Sequence, residues 1–366
     1  MRPLDGLVVL DLTRLLPGAA ATMQLANFGA DVIKVEEPES GDYGRWIPPY
    51  LDGEGTVFRM VNRGKKSVAL DLKSDSGRAA FLKLSETADV VVESFRPGTM
   101  QRLGLGYETL RASNERLVYV SITGYGQDGP WAAMAGHDIN YMALGGALDG
   151  NGACGGPPAI PGIQIADLAG GAMHAVTGVL LALAARAKTG RGQAVDVSMV
   201  DGVAWMLPVA LGLHAATGQL PARGDGVLTG RYACYRVYET ADGRSIAVGA
   251  LEPKFWQALC GALGCDHFIA DQFAESPRRE EIIAELARIL HTRTAADWFE
   301  RLRPVDCCVT PVCNVAEVAA HFGLSRGDSV VAPRLSDTPG RLGGAPPRLG
   351  EQTREILGYQ SDRQHQ

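Results

Sequence analysis

The first 35 residues hold, in order, Leu7–Leu12 (LVVLDL), Pro17-Gly18, Ala19–Gly29 (AAATMQLANFG) and Asp31–Val35 (DVIKV). The first run is short, apolar and rich in β-branched residues, which reads as a buried strand. Pro17-Gly18 marks a break. The Ala-rich run that follows has helical period, and Gly29 suits its end because glycine accepts the left-handed conformation common there. A second apolar run completes a strand–helix–strand unit. The alternation continues with a strand at Val68–Leu72, a helix over Ser76–Glu86, a strand at Asp89–Glu93, a helix near Tyr107–Ala112 and a strand at Leu117–Ile122. Apolar strands separated by helices predict a parallel sheet covered on both faces. The expected fold class is α/β: a doubly wound, mostly parallel, Rossmann-like sheet.

The second half changes character. Asp167–Lys188 reads as a Gly/Ala-rich helix, Gln193–Met199 as a strand and Gly202–Thr217 as an apolar helix. Tyr232–Ala250 alternates like a hairpin that turns at Ala241-Asp242-Gly243. Glu252–Leu263 and Pro277–His291 are then helical. The expected organisation is a large domain over 1–200, a linker helix over 201–224, a smaller α+β domain over 225–325, and a segment over 326–366 that returns to the large domain.

Composition narrows the function. With 46% hydrophobic and 21% charged residues the chain can bury a sizeable core, which excludes wholesale disorder. A net charge of −6 argues against a nucleic-acid partner. Glycine, at 45 of 366, is well above the usual roughly 7% and implies many tight loops. The seven cysteines match no zinc spacing and form no CxxC pair, so they are expected to be free thiols in a reducing compartment. The start, MRPLDGLVVLDLTRLLPG, is a poor signal peptide because Asp11 and Arg14 interrupt its apolar run. No uninterrupted apolar stretch reads as a membrane span, and the end, QSDRQHQ, lacks a peroxisomal SKL. The expectation is a cytoplasmic protein with no membrane contact.

Several familiar chemistries are missing from the sequence. After the first strand there is no GxGxxG, and no GxxxxGK[ST], HExxH or GxSxG appears. A basic segment, Arg59 to Lys73 (RMVNRGKKSVALDLK), is followed by Glu93-Ser94-Phe95-Arg96-Pro97-Gly98. Its Arg63, Lys65 and Lys66, with Arg96, stand beside predicted strands, and open α/β sheets bind ligands at strand ends. Such cations suit phosphate groups; they also read as an ordinary solvated patch. Gly136-His137-Asp138-Ile139-Asn140-Tyr141 forms a second cluster. Asp167 opens a helix and is either a reactive carboxylate or simply a cap and dipole partner. His137 is either a base or a structural histidine. Glu252, ahead of a helix, reads equally well as an N-terminal charge.

Further motifs run in order along nearly the whole chain: PLDGLVVLDLTRLLPG, GADVIKVEEP, NRGKKSVALDLK, ESFRPG, RLGLGY, SITGYGQDGP, AGHDINY, ADLAGG, KTGRGQAVDVSMVDG, ETADGRSIAVGALEPKF, CCVTPV and GEQTREIL. In these the sequence resembles the family III CoA transferases (CaiB/BaiF type) and, within that superfamily, the α-methylacyl-CoA racemases. The resemblance implies that Asp167 is catalytic in both branches. GHDINY and GALEP are racemase-like, and the resemblance pairs His137 with Glu252 against Asp167. Transferase-like features are Gly41-Asp42, Arg45 and the insertion up to Phe58. Glu37 stands where the racemase pattern has Arg, so Arg45 or Lys34 is expected to take over that phosphate contact.

The implied reaction is inversion at the α-carbon of a 2-methylacyl-CoA thioester through an enolate. One base works on each face: His137, oriented by Glu252, and Asp167. Backbone N–H groups where the Asp167 helix begins are expected to steady the enolate oxygen. The alternative is CoA transfer between carboxylic acids through an aspartyl-CoA thioester at Asp167. Either way, CoA is expected to lie on Arg63, Lys66, Leu70, Asp71, Leu72, Lys73, Arg96, Gly136, Asp138, Ile139, Asn140 and Tyr141. No metal or separate cofactor is expected, CoA being part of the substrate. The resemblance also implies an interlocked homodimer, with Glu252 acting within its own subunit or across the interface.

Overall fold

A computed structural model describes residues 1–358, which fall into two compact units. The terminal QSDRQHQ run lies outside the described residues. The larger unit comprises 1–147, 161–207 and the segment from Leu324. Its strands are β1 (Val8–Leu12), β2 (Asp31–Glu36), a short hairpin β3 (Tyr50–Leu51) and β4 (Glu54–Gly55), β5 (Lys66–Ala69), β6 (Val90–Glu93), β7 (Val118–Thr123) and β8 (Ala194–Ser198). Six of them form one sheet in the order β5-β2-β1-β6-β7-β8, and every neighbouring pair is parallel. Counted within this sheet the order is the 3-2-1-4-5-6 of doubly wound dinucleotide-binding folds, with its switch point between β1 and β6. The fold is thus α/β with a parallel sheet. Leu10, Val68, Phe81, Val91, Leu105 and Leu110 pack one face into a core cluster with no measurable exposure.

Local departures from the sequence reading have local causes. The third strand of the sheet begins at Lys66 and ends at Ala69, because Leu70–Lys73 peels off to reach Ser74. That residue caps the next helix, Asp75–Ser85, by accepting the Gly77 N–H. The expected single helix over Gly202–Thr217 is two, Met199–Trp205 and Pro208–Thr217. Pro208 has no N–H to continue the first helix, and its ring disfavours helical geometry at Leu207. The Asp167 helix begins as a π-helix over Ala166–Met173 and only then becomes α-helical over His174–Thr189. This run is long and apolar enough to cross a membrane by length and composition, contrary to the sequence reading. Here Ala175, Val179, Ala182 and Arg186 bury one side of it, and Arg186 pairs with Asp89 at 2.9 Å.

The segment from Leu324 is tied to the large unit along β5. Gln352 exchanges hydrogen bonds with Ser67, and the Ala69 N–H donates to Thr353.

The smaller unit comprises 148–160 and 208–323. The sequence reading placed 148–160 in the large domain and set 201–224 apart as a linker. Arg223 accounts for part of the different grouping: it pairs with Asp149 at 2.7 Å and donates to the Gly156 carbonyl. The unit holds an antiparallel sheet ordered β11-β10-β9, with β9 at Tyr235–Glu239, β10 at Ser245–Gly249 and β11 at Val309–Pro311. Helices Pro253–Leu263, Arg278–Leu290 and Ala295–Leu302 bury Trp256, Leu259, Leu286, Leu290, Trp298 and Leu302 in the core beside it. All seven cysteines are free thiols, and Cys234, Cys260, Cys265 and Cys307 belong to this core.

Candidate active site

Two clefts open at the carboxyl edge of the parallel sheet, as expected on either side of a switch point. The larger, about 580 Å³, lies beyond β1, β6 and β7. Its lining includes Arg14, Phe95, Arg96, Tyr125, His137, Asn140, Tyr141 and Asp167. The smaller, about 280 Å³, lies beyond β1, β2 and β5 and is walled by Leu12, Val35, Leu70, Leu72 and Leu103. Asp71 and Lys73 stand at its edge, and Arg14 and Phe95 line both clefts.

His137 is the N-cap of helix Asp138–Leu144; its main-chain N–H donates to Asn140 Oδ1 at 3.0 Å, which fixes that end of the helix. The imidazole itself is exposed toward the cleft. Tyr141 anchors the same helix. Its ring is wedged between Gly124 and Gly136, where any Cβ would stand 2.6 Å from a ring carbon, and its hydroxyl donates to the Gly136 carbonyl.

Asp167 is half-buried near the start of the π-helix, a geometry often found at functional positions. Its main-chain N–H donates to Asp138 Oδ1 at 2.9 Å. Burial, then the Asp138 charge, push its carboxyl up to about 6, while His137 pulls the other way. The site therefore brings a carboxylate that titrates near neutrality and an imidazole to one cleft from two different helices. One expectation needs correction. The N–H groups of Asp167 and Leu168 are not open donors, because Asp138 takes the first and the Gln164 carbonyl takes the second.

The expected cations divide sharply. Arg96 lines the larger cleft. Arg63 does not reach either cleft: it donates to the Gly343 and Gly327 carbonyls and faces Asp328 at 3.5 Å, tying down the C-terminal segment. Lys66 is the first residue of β5 and pairs with Asp31, the first residue of β2, at 2.8 Å. It therefore sits at the amino end of a parallel sheet, opposite the clefts. Lys65 is fully enclosed by Asp11, Asn62 and the Ala19 carbonyl, and burial pushes its ammonium down to about 8. The proposed substitutes for the missing Arg are also occupied. Lys34 bonds the Thr13 carbonyl and pairs with Asp42 at 2.9 Å; Arg45 pairs with buried Glu36 at 2.7 Å and stacks on Phe58. These bonds build the loop after β1, in which Leu15 holds φ 60 and its N–H donates to Asp42.

Arg14 is the cation that sequence reading missed. Its main-chain N–H donates to Ser94, and its guanidinium bonds the Tyr43 hydroxyl and lies over the Tyr43 and Phe95 rings. Only its place directly after a predicted first strand hinted at a role. Glu93 holds the Phe95 main chain beneath Arg14: buried, and pushed up to about 7 by that burial, it accepts the Phe95 N–H at 2.8 Å. Neither Asp138, which is half-buried, nor the exposed Ile139 is among the lining residues. Glu252 belongs to the smaller unit, where it is the exposed N-cap of helix Pro253–Leu263; its side chain makes no capping bond, so the carboxylate is not spent there.

Residues 4–358 match the profile of CoA-transferase family III. The chain is 36% identical to α-methylacyl-CoA racemase of Homo sapiens over 366 residues, covering 97% of this chain and 92% of that protein. It is 37% identical to acetyl-CoA:oxalate CoA-transferase of Acetobacter aceti over 368 residues, covering 96% and 94%. A crystal structure of a CaiB/BaiF family protein from Brucella suis superimposes with a TM-score of 0.85 at 32% identity, covering 98% of this chain and 99% of that one. With a doubly wound sheet, an aspartate at the cleft and similarity along its whole described length, this chain belongs to the enzymes of CoA-transferase family III.

Proposed function

We propose that this enzyme inverts the α-carbon of 2-methylacyl-CoA thioesters, with Asp167 and His137 as the two bases. The observation that carries this reading is that both side chains line one cleft from separate helices. An α-proton leaves to one base, a planar enolate forms, and the other base returns a proton to the opposite face. Asp167, held near 6, is close enough to neutrality to serve as base in one direction and acid in the other. Glu252, from this subunit or a partner, is the residue to orient the imidazole. With the Asp167 N–H occupied, the enolate oxygen needs another donor. Asn140 suits this, since its Oδ1 is taken by the His137 N–H while its amide hydrogens remain. No metal or redox step enters the reaction so written.

CoA would cross both clefts, its adenine in the apolar smaller one and its thioester in the larger. Arg14, Arg96 and Lys73 are the cations placed for its phosphates. Homodimerisation is part of the proposal. Met173, Leu181 and Trp205 leave large apolar areas in water on the larger unit, and Val209 and Leu220 do so on the smaller.

A second reading has support in the 37% identity to a CoA transferase. There the Asp167 carboxylate attacks the thioester carbonyl and expels CoA thiolate, leaving a mixed anhydride. The thiolate attacks the aspartyl carbonyl and releases the first acid as carboxylate. The acceptor carboxylate then attacks the aspartyl-CoA thioester, and the thiolate collects the new acyl group. Incubation in D₂O separates the two. A racemase incorporates deuterium at the α-carbon with no acceptor acid present, whereas a transferase moves CoA only when an acceptor is added. Acceptor-dependent transfer without exchange would replace the first reading by the second.

A further inference from the structure

We propose that Asp138 is a positioning residue that locks Asp167 to the His137 helix and sets the pH range over which Asp167 works. The inference rests on the reading of Asp167 as the reacting carboxylate, which both proposed reactions share. Sequence resemblance put Asp138 among the CoA contacts; the structure gives its side chain another task. Asp138 is the first residue of helix Asp138–Leu144, where an aspartate ordinarily serves only the helix's own N–H groups and dipole. Here Oδ1 accepts the N–H of Asp167, 29 residues away and on a different helix. The bond joins the residue after His137 to the main chain of Asp167. A shift of either helix start therefore moves both reacting groups together.

The same contact leaves a carboxylate charge beside Asp167. No Lys or Arg among the described residues pairs with Asp138, so its field is not cancelled locally. Burial and this charge both favour the protonated form of Asp167. Other groups around Asp167 do not supply that charge. Tyr141, on the same helix as Asp138, is pushed up to about 12 by burial and stays neutral. Arg14, Arg96 and His137 line the cleft and act in the opposite sense when charged. Of the other elements packed on the π-helix, Pro17–Asn27 carries no titratable side chain, and Met199–Trp205 carries only the exposed Asp201. β8 carries only Asp196, which accepts the Gln127 N–H. His174–Thr189 brings His174, bonded to the Ala169 carbonyl, Arg186, paired with Asp89, and Lys188 in its last turn.

Two substitutions separate the locking from the charge. Asp138→Asn keeps an acceptor oxygen and loses the charge; Asp138→Ala loses both. Infrared titration of the full-length enzyme reads Asp167 directly, as the protonated-carboxyl band that Asp167→Asn removes. In Asp138→Asn its midpoint should fall by about one pH unit, the lower end for a close like charge. The acid limb of kcat/KM should fall with it. Asp138→Ala should lose about tenfold or more in kcat at every pH with little change in KM, because the carboxylate is misplaced rather than the substrate lost. An unchanged midpoint in Asp138→Asn overturns the proposal and leaves Asp138 a helix-start charge. That titration decides the matter even if Asp138→Ala does not fold. It also stands apart from the functional reading: full turnover in Asp167→Asn would remove Asp167 from the chemistry, while the midpoint would still report on Asp138.

Discussion

Gly202 rests directly on Gly170: a Cβ added to Gly202 would stand 2.6 Å from the Gly170 Cα and closer still to its carbonyl oxygen. The contact joins helix Met199–Trp205 to the π-helix three residues after Asp167. Backbone against backbone has no side chain to give way. The spacing of the two helices one turn beyond Asp167 therefore depends on both residues being glycine.

Gly202→Ala should consequently destabilise the large unit by about 1–3 kcal/mol, the usual cost of overpacking. It should also lower kcat by more than it raises KM, because the displaced group is the reacting one in both proposed reactions. Denaturant melts and steady-state kinetics check both parts. A variant with wild-type kcat would show that the seam does not position Asp167.

Asp167→Asn should lose at least about 100-fold in turnover, the lower end for a general acid–base residue. It should also be the more stable protein above pH 6. The native carboxyl holds its proton up to about 6, whereas 3.8 is its ordinary value, so folding takes up a proton between those limits. Stability from this group is fully present below pH 4 and lost as pH rises through 6. Removing the carboxylate should recover on the order of 1–2 kcal/mol at pH 8, limited by solvent screening in the open cleft, and nothing at pH 3.5. Equal wild-type and mutant stabilities at pH 8 would contradict the raised titration.

How far the sequence could be read depended on the kind of contact. β1, β2, β6 and β7 were legible because buried parallel strands are uninterrupted apolar runs, and a period break marks each helix between them. His137 and Asp167 were legible only through motif resemblance, since a lone His or a helix-start Asp has an ordinary structural use. The cations were misread because residue type near a strand does not say which end of the sheet it occupies. Lys66 and Asp31 begin adjacent parallel strands, which turns both away from the clefts. Lys65 was absorbed by Asp11, a partner far away in sequence, and Lys34 by Asp42 across the turn that follows β2. Arg14 gained its place from Tyr43, Ser94 and Phe95, which no local pattern connects to it.

His137→Ala tests the branch. If the imidazole is one of two bases, deuterium exchange at the α-carbon should fall about 100-fold or more while binding of the CoA thioester changes little. Should acceptor-dependent CoA transfer run at full rate in this variant, and be the faster wild-type activity, the racemase reading fails.

The cations give the last test, because three arginines that look alike in sequence divide between the cleft and the C-terminal segment. Arg14 and Arg96 face the larger cleft, whereas Arg63 is bonded to the C-terminal segment through Gly327, Gly343 and Asp328. Charge-assisted contacts contribute about 1.5–3 kcal/mol when well formed and less at an exposed rim. Replacing Arg14 and Arg96 together by Ala should therefore raise KM for a CoA thioester roughly tenfold or more. The change in kcat should be small, because phosphate contacts are shared by ground and transition states. Raising the ionic strength should increase the wild-type KM in the same sense and affect the double mutant less. Arg63→Ala should leave KM near wild type and instead lower the melting temperature by a few degrees, as the anchored segment loosens along β5. If Arg63→Ala alone raises KM tenfold while the double mutant does not, the phosphates lie on the other side of the molecule and the cleft assignment is wrong.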